Sequence, residues 1–132
     1  MRPEFVSPPT LFAGAPYEYA ALAPSGARLV FAAGACPLND AGEVLAPGDY
    51  EAQARAALES LRAALEAAGS GFDRVLKTTV YVASPDRAQL VRVWRVVEDG
   101  LAPERPPSTL LGVSVLGYPE QLVEIEAVGL AS

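Results

Sequence analysis

Residues 106–130, PPSTLLGVSVLGYPEQLVEIEAVGL, determine the fold that we predict for this chain. Two strand-like runs, residues 108–116 and 122–128, flank a short turn at residues 117–119. In the second run the side chains alternate in character, which is typical of a strand with one face on a core. We therefore expect the chain to end in two strands.

The two faces of residues 122–128 differ in chemistry. One face is entirely apolar and comprises Val123, Ile125 and Ala127. The other face carries Glu124 and Glu126 between Leu122 and Val128. Carboxylates bracketed by apolar side chains suit a pocket or a subunit interface better than a surface open to water. We predict that this face lines one of the two, with Glu124 as its chemical group.

Upstream, the chain alternates between strand and helix patterns. Residues 1–16 are rich in proline and predict a loose arm with one short edge strand. Strand patterns follow at residues 17–23, 29–36 and 75–83. Residues 29–36, LVFAAGAC, form a continuous apolar run, which predicts a strand covered on both sides. Within this run Gly34 indicates a bulge, a close approach to the backbone, or tight packing.

Two helices are predicted between these strands. The first follows Asp49 as N-cap, repeats apolar residues on one side and ends at Gly69. The second is predicted to have Ser84 as N-cap, Pro85 at its first position and Trp94 in its buried stripe. The economical arrangement is an α+β fold, a single antiparallel or mixed sheet with two helices on one face. The uncovered sheet face predicts self-association.

Composition restricts the class of function. The 132 residues are enough for a single domain, residues 1–132, with a real core. Hydrophobic residues make up 51% and charged residues 20%, as in a compact globular protein. The net charge of −6 would repel phosphate backbones and anionic membranes. We therefore expect neither nucleic acid nor a membrane among the partners.

The histidine and cysteine content restricts the kinds of catalytic and metal site that the chain can form. The chain has no histidine, which excludes Ser-His-Asp and Cys-His nucleophile pairs and histidine metal clusters. Its single cysteine, Cys36, cannot form a disulfide within the chain, which is typical of a cytoplasmic protein. We predict no metal site and interpret Cys36 as a small core residue rather than a nucleophile.

Five short segments occur in an order that is specific. They are Ala15-Pro16-Tyr17, Ala33-Gly34-Ala35-Cys36-Pro37, a helix with Gln53 that ends Ala67-Ala68-Gly69, the stretch from Phe72 to Tyr81, and Val123-Glu124-Ile125-Glu126-Ala127. In this order they resemble the RidA family, also called YjgF or reactive intermediate deaminase A. The resemblance covers nearly the whole chain.

The resemblance implies a chorismate-mutase-like fold that assembles as a homotrimer, with the sheets in a central barrel and the helices outside. It also implies that a small-molecule ligand binds in clefts between subunits. Typical members hydrolyse reactive imines and enamines to 2-keto acids and ammonia without a cofactor. Such chemistry needs an anchor for the substrate carboxylate, a group that orients water, and donors for the developing charge.

The chain departs from the family pattern at two positions. Deaminating members carry an arginine at the start of the penultimate strand, where this chain has Ser108. A serine can donate a hydrogen bond but cannot neutralise a carboxylate. Ala33 replaces the serine of the family's Ser-Gly-x-x-Pro segment, whereas Tyr17 and Glu124 match pocket positions. The chain thus resembles a divergent branch that lacks the deaminase arginine.

The candidate site combines these observations. Glu124 is the predicted catalytic residue, as a carboxylate that orients water or accepts from a ligand; the alternative is an ion pair across a subunit interface. Arg92 would supply the missing positive charge, or is simply an exposed helix residue. The predicted ligand-binding residues are Tyr17, Ala33, Gly34, Arg92, Ser108, Thr109 and the backbone of Leu110.

Three functions remain open at this point. The first is an imine or enamine deaminase with an altered substrate preference, for instance for substrates without a carboxylate. The second is a small-molecule-binding trimer without catalysis. The third is a hydrolase of another small carbonyl or amide compound that uses Glu124 and a water molecule.

Overall fold

The computed structural model describes residues 1–131, so the predicted domain limit at Ser132 lies outside the described residues. The elements are β1 (Glu4–Val6), β2 (Ala20–Leu22), β3 (Arg28–Phe31), α1 (Tyr50–Ala67), β4 (Val75–Ala83), α2 (Arg87–Leu101), β5 (Ser108–Val113) and β6 (Val123–Ala131). A short 3-10 turn, Phe72–Arg74, leads into β4. Within the described residues, no helix combines the length and the hydropathy needed to cross a bilayer.

Strands β3 to β6 form one mixed sheet in the order β3-β6-β4-β5. Strand β6 runs antiparallel to both of its neighbours, and β5 runs parallel to β4 at the sheet edge. Both closing strands predicted from the sequence are present, but β4 separates them. Strands β1 and β2 form a separate antiparallel pair.

Both helices pack on one face of this mixed sheet, as the sequence predicted. The apolar face of β6 is confirmed, since Val123 and Ile125 are fully buried. The core joins this face to β4 and to both helices through Ala54, Ala57, Leu58, Leu61, Leu65, Val80, Val82, Val93 and Val97. Removal of these aliphatic side chains from water is the main stabilising term of the fold.

The predicted N-cap residue is correct for α1 but not for α2. Asp49 caps α1 as predicted, and its side chain accepts a backbone N–H of the first turn. The predicted cap of α2 at Ser84 is wrong, because Asp86 occupies that position and accepts from Ala88 N at 2.9 Å. Ser84 Oγ instead accepts from Asp86 N at 3.0 Å and shapes the turn before the helix. Pro85 therefore lies outside the helix.

Two of the predicted strands are shorter than the pattern indicated. The run at residues 17–23 contributes only Ala20–Leu22, which pairs with β1. The run at residues 29–36 is not covered on both sides, since Leu29 and Phe31 are 47% and 73% exposed. A continuous apolar run does not by itself distinguish a doubly covered strand from one with an open apolar face.

Gln53, a fully buried residue of α1, joins the helix to two loops. Its Nε2 donates to Ala46 O at 3.3 Å and to Glu120 O at 3.0 Å. Its Oε1 accepts from Leu122 N at 2.7 Å. These bonds hold the loop before β6 against α1, and so fix the start of the strand that carries Glu124.

Candidate functional site

A cleft lies at the open edge of β5, beside α2. Its volume is about 430 Å³. The residues that line it are Pro16, Tyr17, Trp94, Ser108, Thr109 and Leu110. The structure therefore brings together four of the predicted ligand-binding residues, namely Tyr17, Ser108, Thr109 and Leu110.

The Ser108 hydroxyl is held by its partner across the sheet. Thr78, which pairs with Ser108 and is fully buried, donates its hydroxyl to Ser108 Oγ at 2.6 Å. A serine oxygen that accepts this bond keeps its own proton for another acceptor. Ser108 is therefore arranged to donate a hydrogen bond into the cleft.

The backbone of β5 adds a further donor. Thr78 N donates to Pro107 O at 3.0 Å, which sets the phase of the parallel ladder between β4 and β5. In that phase the N–H of Thr109 points toward β4, and the N–H of Leu110 points away from the sheet. Since β5 is an edge strand, the Leu110 N–H is available at the cleft.

Contacts of the N-terminal segment place Tyr17 at the cleft. The Arg105 guanidinium donates to Ala15 O, and Glu18 N donates to Arg105 O at 2.9 Å. The Tyr17 ring meets Tyr19 edge-on, with 5.7 Å between the ring centroids. Tyr17 thus brings an aromatic face and a hydroxyl to the cleft, and the Arg105 guanidinium serves to anchor the backbone beside it.

A second cluster surrounds Glu124, on the sheet face opposite the helices. Glu124 Oε1 accepts from Cys36 Sγ at 3.4 Å and from Gln121 Nε2 at 3.2 Å. Gln121 is almost fully buried, and its Oε1 accepts from Tyr118 N at 3.1 Å. The half-buried carboxylate of Glu124 therefore has a fixed orientation.

Ala33 and Gly34 form a bulge against this cluster. Ala32 N and Ala35 N donate to carbonyls of β6 at 3.0 and 2.7 Å. Between them, Ala33 and Gly34 stand opposite a single residue of β6, which is the geometry of a bulge. A Cβ atom on Gly34 would lie 2.2 Å from Glu124 Oε2, so any larger residue would displace the carboxylate from this position. Of the three alternatives that the sequence left open at Gly34, the structure shows the bulge and the close approach of a side chain to the backbone.

Glu124 does not line the cleft of its own chain. Thr78, the partner of Ser108, is buried on the helix face of the sheet, whereas Glu124 pairs with Tyr81 on the opposite face. One chain therefore carries two separate groups of candidate residues, which we call candidate half-sites: the cleft (the six residues listed above) and the carboxylate cluster (Gly34, Cys36, Gln121 and Glu124).

Arg92 lies in neither half-site. It is an exposed residue of α2 and lines a separate shallow groove with Gln89 and residues 47–51. Within one chain it brings no positive charge to Ser108. The six residues that line the cleft carry no charged side chain.

Among residues 1–131, no three or more His, Cys, Asp or Glu side chains converge as metal ligands. The groups that do converge are hydroxyl and N–H donors in the cleft, and one oriented carboxylate in the cluster. Such groups can hold a small polar ligand, orient a water molecule and stabilise developing negative charge.

The family model described as Endoribonuclease L-PSP matches residues 11–131 of this chain. The chain belongs to the RidA/YjgF family. RutC family protein UK114 of Drosophila melanogaster is 35% identical over 116 residues, which cover 88% of this chain and 80% of that protein. RutC family protein PH0854 of Pyrococcus horikoshii is 32% identical over 101 residues, which cover 76% of this chain and 78% of that protein.

Solved structures confirm the RidA/YjgF fold. The Rid family protein YyfB of Yersinia pestis matches with a TM-score of 0.90 and 28% identity, over 98% of this chain and 99% of that one. Rv2704 of Mycobacterium tuberculosis, a member of the YjgF/YER057c/UK114 family, matches with a TM-score of 0.65 and 28% identity over the same shares. Two helices on a mixed sheet are thus the shared architecture.

Three residues of this RidA/YjgF chain gain a role that the sequence did not show. Trp94 was predicted only as part of a buried helix stripe, yet it forms a wall of the cleft. Thr78 and Gln121 fix the side chains of Ser108 and Glu124. The one available signal was polarity, since Thr78 places a hydroxyl at a position of β4 whose side chain faces the core.

The Cys36 thiol is held in its protonated form. Burial, the hydrogen bond to Glu124 and the charge of that carboxylate together raise its pKa from 9.0 to about 11, with burial as the largest cause. We predict that alkylation of Cys36 by iodoacetamide has a midpoint near pH 11, whereas an ordinary thiol titrates near pH 9.0. In Glu124→Gln the midpoint should fall but stay above 9.0, because burial is the largest cause. A wild-type midpoint near 9.0 would contradict the contact with Glu124.

Proposed function

We propose that this RidA-family protein is a homotrimer of single-domain chains, residues 1–132, that hydrolyses small reactive imines or enamines in clefts between subunits. The separation of the two half-sites carries the proposal. The cleft offers donors from Tyr17, Ser108 and Leu110, but the carboxylate that could orient water lies on the other face of the sheet. A neighbouring subunit that sets its carboxylate cluster against this cleft would complete one site at each interface.

Exposed apolar side chains on the open sheet face support the oligomer. Leu29, Phe31 and Leu111 are 47%, 73% and 43% exposed. Their strand partners place them on the face opposite the helices. Large apolar side chains grouped on one face mark an interaction surface, and a closed ring of identical chains covers such a face on every copy.

The proposed reaction needs only water and proton transfers. The water oxygen bonds to the imine carbon while Glu124 takes one water proton and passes it to the imine nitrogen, which gives a carbinolamine. The hydroxyl proton of that intermediate then moves to the nitrogen, the C–N bond breaks, and a carbonyl compound and ammonia leave. Donors from Ser108, Tyr17 and the Leu110 N–H would hold the substrate and stabilise charge on its polar atoms.

A second candidate is a small-molecule-binding trimer without catalysis. It is favoured by Ser108, which stands where deaminating family members have an arginine. Without that guanidinium an imino acid has no charged anchor in the cleft. A protein that only binds would show thermal stabilisation by a ligand with no turnover.

We do not extend the proposal to RNA cleavage, although the matching family model is described as Endoribonuclease L-PSP. A net charge of −6 opposes binding of a phosphate backbone, and the absence of histidine removes the usual acid–base group. We propose a cytoplasmic location, which is consistent with a single cysteine, and no cofactor.

Subunit mixing tests whether the two half-sites meet between chains. Glu124→Gln removes the carboxylate, and Ser108→Phe fills the cleft; each variant alone should hydrolyse an in-situ imine at least about a hundredfold more slowly than the wild type. A one-to-one mixture, unfolded and refolded together, should recover about a quarter of the wild-type rate, because one interface in four joins an intact cleft to an intact Glu124. No recovery, in mixtures shown by sedimentation to be trimers, would place both half-sites in one chain.

A further inference from the structure

We infer that the cleft selects an uncharged imine with an apolar, ring-sized side chain, rather than an imino acid. This inference rests on the proposed function, since it names the substrate class of the same site. It comes from the charge, the hydrogen-bond donors and the walls of the cleft.

No cationic side chain lines the cleft to bind a substrate carboxylate. Its six lining residues are neutral. Of the two neighbouring cations, Lys77 lies on the sheet face opposite the helices, away from the Ser108 hydroxyl, and the Arg105 guanidinium is directed to Ala15 O. A carboxylate that entered the cleft would lose hydration without gaining an ion pair.

The neighbouring subunit would add negative charge, not positive charge. The proposed interface brings Glu124 to the cleft, and the carboxylate cluster contains no cationic side chain. A substrate carboxylate would therefore face another carboxylate at short range. Like charges placed together in this way oppose binding strongly.

The donors of the cleft suit a neutral acceptor. Ser108 keeps one proton to donate because Thr78 already donates to its oxygen at 2.6 Å. The N–H of Leu110 is a second donor at the open edge of β5. Two neutral donors match the nitrogen of an imine or the oxygen of the product carbonyl, and neither donor supplies the charge that a carboxylate requires.

The walls of the cleft are apolar and aromatic. Trp94, Tyr17, Pro16 and the side chain of Leu110 surround the two donors. The volume of about 430 Å³ lies within the range of roughly 300–1,000 Å³ that small-molecule pockets have. Aromatic rings gain from offset or edge contacts with Trp and Tyr. A phenyl-sized side chain therefore fits both the space and the chemistry.

Three imines generated in situ distinguish the effect of substrate charge on the rate from the effect of the substrate side chain. An L-amino-acid oxidase yields 2-iminopropanoate and 2-imino-3-phenylpropanoate, and a flavin-dependent amine oxidase yields 2-phenylethanimine from 2-phenylethylamine. The readout is the fall in semicarbazone when semicarbazide competes with the protein for each imine. We expect 2-phenylethanimine to be hydrolysed at least about tenfold faster than 2-imino-3-phenylpropanoate, and 2-iminopropanoate slowest of all.

Ser108→Arg should reduce or abolish the preference for the uncharged imine. It restores a guanidinium at the start of β5, so we expect about a tenfold gain on 2-imino-3-phenylpropanoate relative to 2-phenylethanimine. Ser114→Arg is the matched control, because Ser114 is an exposed serine beyond the end of β5 and outside the cleft. The control should leave the wild-type order of the three imines unchanged.

The outcomes distinguish the inference from the proposed function. Faster hydrolysis of 2-iminopropanoate than of 2-phenylethanimine overturns the substrate class while the deaminase proposal stands. If no imine is hydrolysed, the deaminase proposal fails, and binding of phenylacetamide and phenylacetate, which differ in charge but little in shape, decides the ligand class. A rise in Tm with phenylacetamide alone supports the uncharged class; equal shifts, or no shift with either compound, overturn it.

Discussion

Replacement of Glu124 by glutamine is expected to lower kcat/KM for imine hydrolysis by about 10²- to 10³-fold, the range that general acid–base groups contribute. Glutamine keeps the shape of the side chain and an oxygen that can accept from Cys36 and Gln121, which now lie 3.4 and 3.2 Å from Glu124 Oε1. It cannot take a proton from water. The loss should therefore fall on kcat rather than on KM, with little change in Tm.

Glu126→Gln is the matched control for Glu124→Gln. Glu126 is also half-buried, lies two residues along the same strand face, and accepts from Tyr81 OH at 2.6 Å. That hydrogen bond raises the pKa of Tyr81, so Glu126→Gln should lower this pKa while hydrolysis changes less than about threefold. An equal loss of activity in the two variants would show that Glu124 contributes only as part of a charged surface.

The layered architecture could be predicted from the sequence because local patterns specify it. The alternation in residues 122–128 identifies the buried face of β6, and the apolar stripe of α1 identifies its partner. The order of strands within the sheet could not be predicted in this way. Strand β4 lies between β5 and β6, and nothing in the turn at residues 117–119 shows that it leads across another strand. Strand order depends on non-local pairing, which local sequence patterns do not encode.

The N-terminal cap of α2 shows how local chemistry can mislead. Ser84-Pro85-Asp86 contains two side chains able to cap a helix, and the proline favoured the first of them. In the structure both oxygens accept a backbone N–H, Ser84 in the turn and Asp86 at the helix start. The sequence identifies where α2 begins to within a few residues. The choice between the two caps depends on the path of the turn that joins β4 to α2.

The candidate site could also be predicted only in part from the sequence. Tyr17, Ser108 and Leu110 were predicted through the family resemblance, and one cleft contains all three. Glu124 was predicted from its strand face, and it has the fixed orientation that a water-orienting group needs. Which half-site faces which could not be predicted, because it depends on the contact between chains. Arg92 illustrates the limit, since the family resemblance suggested a pocket residue that one chain places in another groove.

Gln53, a polar side chain with no exposed surface, helps to fix the position of the strand that carries Glu124. Its amide makes hydrogen bonds to Ala46 O, Glu120 O and Leu122 N. A buried amide is stabilising only while these partners are satisfied, because each backbone group left unpaired costs about 1–3 kcal/mol. The helix that contains Gln53 is one of the five segments that resemble the RidA family. The structure gives the physical reason for an amide at this position.

Gln53→Met is expected to lower the free energy of unfolding by about 2–4 kcal/mol, because methionine fills a similar volume but leaves Leu122 N and Glu120 O without partners, whereas Ala46 O still accepts from Asp49 N. For a chain of this length the corresponding fall in Tm is about 6–12 °C, measured at fixed protein concentration. Gln89→Met, at a half-buried position of α2, is the matched control and should shift Tm by less than about 2 °C. Because the Gln53 bonds hold the loop before β6, the variant should also lose imine hydrolysis at temperatures well below its own Tm. A stable Gln53→Met protein with full activity would show that α1 does not position the Glu124 strand.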